Sequence, residues 1–305
     1  MGLFKKRETV TQNIAYLALM AAINVIFVLL TAIFQPLMFI MIFILPFTST
    51  VVTLFCKKKY FPIYFVVTVA LCLLVTSWAS IFDTFFYVIP SMISGFSFGL
   101  MIEKKVPAIY ILSISTVIQY LLTYLTFLAL DALLPELSFI DVLLRMFGLA
   151  EFIYKDYFIH VFLYLLAIIQ TIITYAIIKI EIVKLGFEIN LFIEKKYIIF
   201  IANLILYALS VAMIFVYGPL MYIFLFINLG LVIFELIDLL LTKNKLMISL
   251  SLVFLLVSFI FYIAFNQMIP KPNEIILLST GMLLISILYF VNYLFVKKTN
   301  STKIE

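Results

Sequence analysis

Apolar runs of about twenty residues follow one another along almost the whole chain, and the short turns between them carry lysine. A helix needs roughly 20 such residues to cross the hydrocarbon core of a bilayer. In lipid, backbone polar groups must be satisfied within the spanning element itself. The pattern therefore predicts an all-α fold, a polytopic transmembrane helix bundle. Composition agrees, because 67% of the 305 residues are hydrophobic and only 11% are charged. A soluble domain carries about a quarter charged residues, and no soluble core could hide this much apolar surface.

Charges and Pro/Gly breaks divide the chain into about ten expected spans, at about 12–34, 37–56, 60–78, 83–102, 107–130, 158–179, 197–217, 219–241, 246–266 and 274–296. The first run is too long for a signal-peptide core and no small-residue cleavage site follows it, so it reads as a retained helix. Residues 181–196, with Glu181, Lys184, Glu188, Glu194 and Lys195, separate six helices from four. The expected organisation is a six-helix membrane domain at 1–180, a cytoplasmic connector at 181–196 and a four-helix extension at 197–305.

Lysine and arginine set the orientation of a membrane bundle. With a cytoplasmic N-terminus, seventeen of the twenty basic residues fall inside, and only Arg145, Lys155 and Lys271 fall outside. Both termini are then cytoplasmic in a multi-pass cell-membrane protein. The long outer loop 131–157 mixes Leu137, Leu143, Leu144, Met146 and Phe147 with acids, the pattern of a short amphipathic helix lying in the interface.

Four alanines crowd into residues 15–22 of a chain otherwise built from bulky side chains. On a helix, Thr11, Ala15, Ala18 and Ala22 form one stripe. Helices in lipid associate where small residues let backbones approach. The stripe therefore docks either another helix of this chain or a different subunit. A second small stripe, Ser91, Gly95 and Gly99, reads as internal packing.

The basic tip followed by "TQNIAYLALMAAINVIF" resembles the opening of the substrate-binding S components of energy-coupling factor (ECF) vitamin transporters. It is also similar to related bacterial membrane proteins that join an S-component-like six-helix region to further helices. Ala18 and Ala22 match that family's AxxxA pattern, and "LPFTSTVVTLFCKKKYFPIYF" has its basic turn between the second and third helices. The resemblance covers about residues 8–180, and the four helices at 197–296 are an addition to a simple S component. It implies capture of a small molecule from outside, docking of a coupling transmembrane subunit through Ala15, Ala18 and Ala22, and energy from partner ATPases.

Polar groups at membrane depth are expensive and often functional. Near the outer side of the first half stand Trp78, Asp83, Tyr87, Gln119, Tyr120, Tyr124, Tyr157, His160 and Tyr164. Tyr157, His160 and Tyr164 share one helix face. Trp78, Asp83, Gln119, Tyr124, His160 and Tyr164 are the expected substrate-binding residues, with the interfacial aromatic belt as the alternative for each. In the second half, Glu235 and Asp238 face the same way on one helix, with Glu235 roughly 9 Å from its cytoplasmic end. They read either as a snorkelling pair neutralised by Lys243 or Lys245, or as an ion site.

One histidine and two cysteines, Cys56 and Cys72, make no metal-ligand constellation or disulfide framework. No phosphate-binding glycine loop is present, no cofactor is implied, and no nucleophile–base arrangement suggests an enzyme. The lysines sit at helix ends, which is not a nucleic-acid footprint. Three functions remain: the substrate-capture subunit, a partner-independent secondary transporter coupled at Glu235 and Asp238, and a non-transport membrane scaffold.

Overall fold

The computed structural model describes residues 6–34, 37–75, 84–133, 141, 144–145, 155–187, 196–241, 245–269 and 273–301. Among them there is no strand. Ten long helices run in order: α1 Val10–Ile33, α2 Met38–Phe55, α3 Phe61–Val75, α4 Ile89–Glu103, α5 Ala108–Leu133, α6 Lys155–Lys184, α7 Lys196–Met213, α8 Gly218–Leu241, α9 Lys245–Phe265 and α10 Ser279–Ser301. Eight are long and apolar enough to cross a bilayer once the short helical turns leading into α3 and α10 are included, while α2 and α4 are apolar but shorter over their described lengths. Among the described residues the chain is thus a multi-pass helical bundle with eight full-length candidate spans, where the sequence predicts about ten. The amphipathic helix expected over 131–157 lies mostly outside the described residues.

The chain divides into two compact units, 1–150 with 165–192, and 151–164 with 193–305. The break at residue 193 falls inside the expected connector. Helix α6 contributes to both units: its first turns group with the C-terminal unit and its remainder with the N-terminal one.

In the N-terminal unit, local chemistry fixes the helix ends. Thr9 opens α1 with a capping box shared with Gln12, the arrangement that satisfies two orphan backbone donors at once. Gly186, at φ +85°, ends α6, and Phe187 N–H returns to the Ile182 carbonyl at 3.2 Å. Pro46 lies inside α2. Proline has no N–H, so the carbonyl one turn back loses its partner. That carbonyl, on Ile42, accepts from Gln170 Nε2 of α6 at 3.4 Å.

Helices α2 and α4 pack at close backbone approach. A Cβ on Gly99 would meet the Thr53 side chain at 2.5 Å, and one on Gly95 would strike the backbone of α2. Thr50 bridges the pair, donating towards both the Pro46 and the Gly95 carbonyls. The glycine stripe is internal packing of the small-residue kind. Helices α1, α2 and α3 are tied by a buried triad: Asn24 donates to Tyr64 Oη at 2.8 Å, and Thr48 donates to Asn24 Oδ1 at 2.7 Å.

The basic turns of this unit gather at one end. Arg7 N–H bonds the Phe55 carbonyl at 2.8 Å, and Lys57 N–H bonds Asn13 Oδ1 at 2.8 Å. Lys6 and Lys58 pair with Glu103 at 3.6 and 2.5 Å. Phe187 packs edge-on against Phe55, with ring centroids 5.5 Å apart. The start of α1 and the ends of α2, α4 and α6 therefore lie together, as alternating crossings require.

The C-terminal unit is built on α7 to α10. Phe200 of α7 stacks on Phe290 of α10 at 4.6 Å, and Gly281 of α10 sits against Ser258 of α9. Tyr164 packs on Phe226 of α8 at 5.8 Å, with its hydroxyl against Gly230.

Candidate functional site

Hydroxyls in apolar helices are ordinarily satisfied by the carbonyl one turn back. On α5, Ser113 donates to Ile109 at 2.7 Å, Thr123 to Gln119 at 2.8 Å and Thr126 to Leu122 at 2.8 Å in this way. Ser115 and Thr116 on the same helix do not: their hydroxyl oxygens are buried with no hydrogen-bond partner, and neither does Gln119 Oε1 have one. Positions 115, 116 and 119 share the inward face of α5.

Helix α6 repeats the pattern. The hydroxyls of Thr171, Thr174 and Tyr175 are buried without a partner, as is that of Thr84 in the π-turn Thr84–Val88 that leads into α4. None of these seven residues is more than 8% exposed. An unmade hydrogen bond at a buried group costs about 1–3 kcal/mol, and bilayer interiors offer no water to make it.

The two faces stand at matching heights. Counted from the basic end at 1.5 Å per residue, 115–119 lie about 10–17 Å along α5 and 171–175 about 13–20 Å along α6. Helix α4 adjoins both. It packs along α5, and it meets α6 where Gln170 Nε2 reaches Ser91 Oγ at 3.5 Å and where Tyr175 stacks on Phe98 at 6.4 Å. The set is neutral, made of hydroxyls and an amide, and can both donate and accept.

Of the residues expected to bind substrate, Gln119 belongs to this group, its Nε2 reaching Thr123 Oγ1 at 3.4 Å. Tyr124 is half-buried on α5 and stacks on the fully buried Tyr120. His160 and Tyr164 are buried, not hydrated belt residues, and both group with the C-terminal unit. Trp78 and Asp83, and the side chain of Tyr157, lie outside the described residues. Ser115, Thr116, Thr171 and Thr174 were not singled out from the sequence. Their only signal was polar residues at helical spacing in "SISTVIQ" and "QTIITY".

Among the described residues, no helix covers the alanine stripe. Thr11, Ala15, Ala18 and Ala22 are all exposed, while Ala21 beside them is packed in the core. In the C-terminal unit Glu235 is 0% exposed, so it does not snorkel. Ser286 donates to its Oε1 at 2.9 Å, Asn203 Nδ2 donates to Ser286 at 2.7 Å, and Asn228 Nδ2 donates to the Asn203 carbonyl at 2.9 Å. Asp238 follows one turn on in α8, and its side chain lies outside the described residues.

No family model matches the chain. No curated protein matches it, and no solved structure does.

Proposed function

We propose that the chain is a membrane substrate-capture subunit resembling an ECF S component. Its N-terminal unit takes a small molecule from outside and docks a coupling transmembrane subunit through Ala15, Ala18 and Ala22. Partner ATPases supply the energy, and the chain itself performs no catalysis. The termini and the basic turns face the cytoplasm in this reading, following the bias of lysine towards the inner side.

The observation that carries the reading is the exposure of the alanine stripe. The glycine stripe of α4 is consumed by internal packing. The stripe on α1 keeps its small side chains on the open face, where close backbone approach by another helix remains available.

Ala18→Trp with Ala22→Trp tests it. The double variant is expected to insert, keep its detergent Tm and lose co-purification of a coupling subunit and ATPases. Loss of Tm together with partner binding, or unchanged co-purification, rejects docking at this face.

The complete burial of Glu235 within a polar chain favours one second reading, a partner-independent secondary transporter coupled through Glu235 and Asp238. Ion-dependent uptake by the pure protein in liposomes would select it over the first.

A further inference from the structure

We propose that the mid-membrane interior of the N-terminal unit binds an uncharged polar molecule through Ser115, Thr116, Gln119, Thr171, Thr174 and Tyr175. This deepens the capture reading and rests on it for the direction of entry alone.

Valine in place of threonine would fill the same volume without a hydroxyl to desolvate, and the surrounding helices are rich in Val, Ile and Leu. Back-bonding to the preceding turn is also available, since Ser113, Thr123 and Thr126 use it on the same helix. The hydroxyls of Ser115, Thr116, Thr171 and Thr174 take neither course and stay buried without partners. A folded interior that keeps several unmet hydrogen-bonding groups at one height is organised around something that meets them.

Charge fixes the ligand class. None of the six side chains is ionised at neutral pH, whereas a charged ligand buried in a medium this apolar needs a countercharge. The ion pairs of Lys6 and Lys58 with Glu103 lie at the basic end of the unit instead. Hydroxyls both give and accept hydrogen bonds, which suits a ligand presenting both kinds of group, such as a sugar, a polyol or a neutral nucleobase. Tyr175, stacked on Phe98, adds an aromatic flank.

The test begins without any ligand. The triple variant Thr116→Val, Thr171→Val, Thr174→Val removes three desolvated hydroxyls at nearly constant volume. Its detergent Tm is expected to rise by about 2–4 °C or more. A fall or no change means that the hydroxyls already have partners and overturns the proposal. If the triple variant does not fold, Thr116→Val and Thr174→Val singly give the same reading.

The second measurement uses matched probes on the wild type: glucose against glucose 6-phosphate, inositol against inositol phosphate, and uracil against orotate. A neutral member is expected to raise Tm, with its apparent affinity at least roughly tenfold weaker in the triple variant. Equal or better stabilisation by the charged members overturns the assignment of class. Neither measurement involves a partner, so failure here is distinguishable from failure of docking at the alanine face.

Discussion

Gly95 of α4 lies directly on the backbone of Pro46 in α2: a Cβ at position 95 would stand 2.2 Å from the Pro46 carbonyl oxygen and 2.8 Å from its Cα. Backbone cannot turn aside as a side chain can. Gly95→Ala must therefore part the two helices, and the Thr50 bond to the Gly95 carbonyl goes with them. We expect a loss of about 1–3 kcal/mol or more, seen as a lower Tm in detergent. Gly99→Ala meets mainly the Thr53 side chain and should cost less. A wild-type Tm for Gly95→Ala would contradict the packing described.

The triad of Asn24, Thr48 and Tyr64 supplies a second test. Asn24→Leu removes the donor to Tyr64 Oη and the acceptor of the Thr48 hydroxyl, which keeps its bond to the Leu45 carbonyl, at a cost of about 1 kcal/mol. Tyr64→Phe removes the same bond from the other side. The double variant should then fall short of the sum of the singles in thermal stability. Strict additivity would show that the bond contributes nothing.

Glu103 makes stability depend on pH at the basic end. The hydrogen bond from Lys58 holds its carboxyl below the usual carboxylate range; partial burial opposes this, and the charges of Lys58 and Lys6 add to the lowering. A carboxylate so depressed gives its full stabilisation above the unfolded value and loses it as pH falls through the folded one. The Tm difference between wild type and Glu103→Gln should be constant near neutrality, shrink once pH drops below the ordinary glutamate range and vanish only after it has fallen through the lowered folded value. A difference that persists in acid would rule out the ion pairs as its source.

In the C-terminal unit, Asn203→Ala breaks the chain from Asn228 to Glu235 at its centre. The lost bond from Asn203 Nδ2 to Ser286 and the longer one from Asn228 to Asn203 Oδ1 should lower thermal stability by about 1–3 kcal/mol, while Asn228 keeps its bond to the Asn203 backbone carbonyl. Glu235→Gln keeps the shape and removes the charge. In proteoliposomes it should abolish ion-coupled uptake if the secondary-transport reading holds. Uptake that survives the substitution would remove Glu235 from that mechanism.

The all-helical, multi-pass character was legible because lipid leaves few alternatives: a backbone in hydrocarbon must be helical. The packing role of Gly95 and Gly99 was readable for the same reason. The number of full-length spans was less so, since α2 and α4 are apolar but short over their described lengths. The unmet hydroxyls were not. Ser113 and Ser115 look alike in sequence, and only the structure shows which one bonds the preceding turn. The spacing of His160 and Tyr164 correctly put them on one face of one helix. It could not show that α6 contributes its first turns to one unit and the rest to another. Asn24, lone and polar in an apolar run, gave no hint of partners 24 and 40 residues away.

That separation orders the biogenesis of the protein. The amide of Asn24 bonds side chains carried on α2 and α3, so while the ribosome is still completing those segments it has none of these partners. Until Tyr64 has been made, the Asn24 amide N–H has no Tyr64 hydroxyl to donate to. The hydrogen-bonded contact that ties α1, α2 and α3 together is therefore complete only when the third helix has been made.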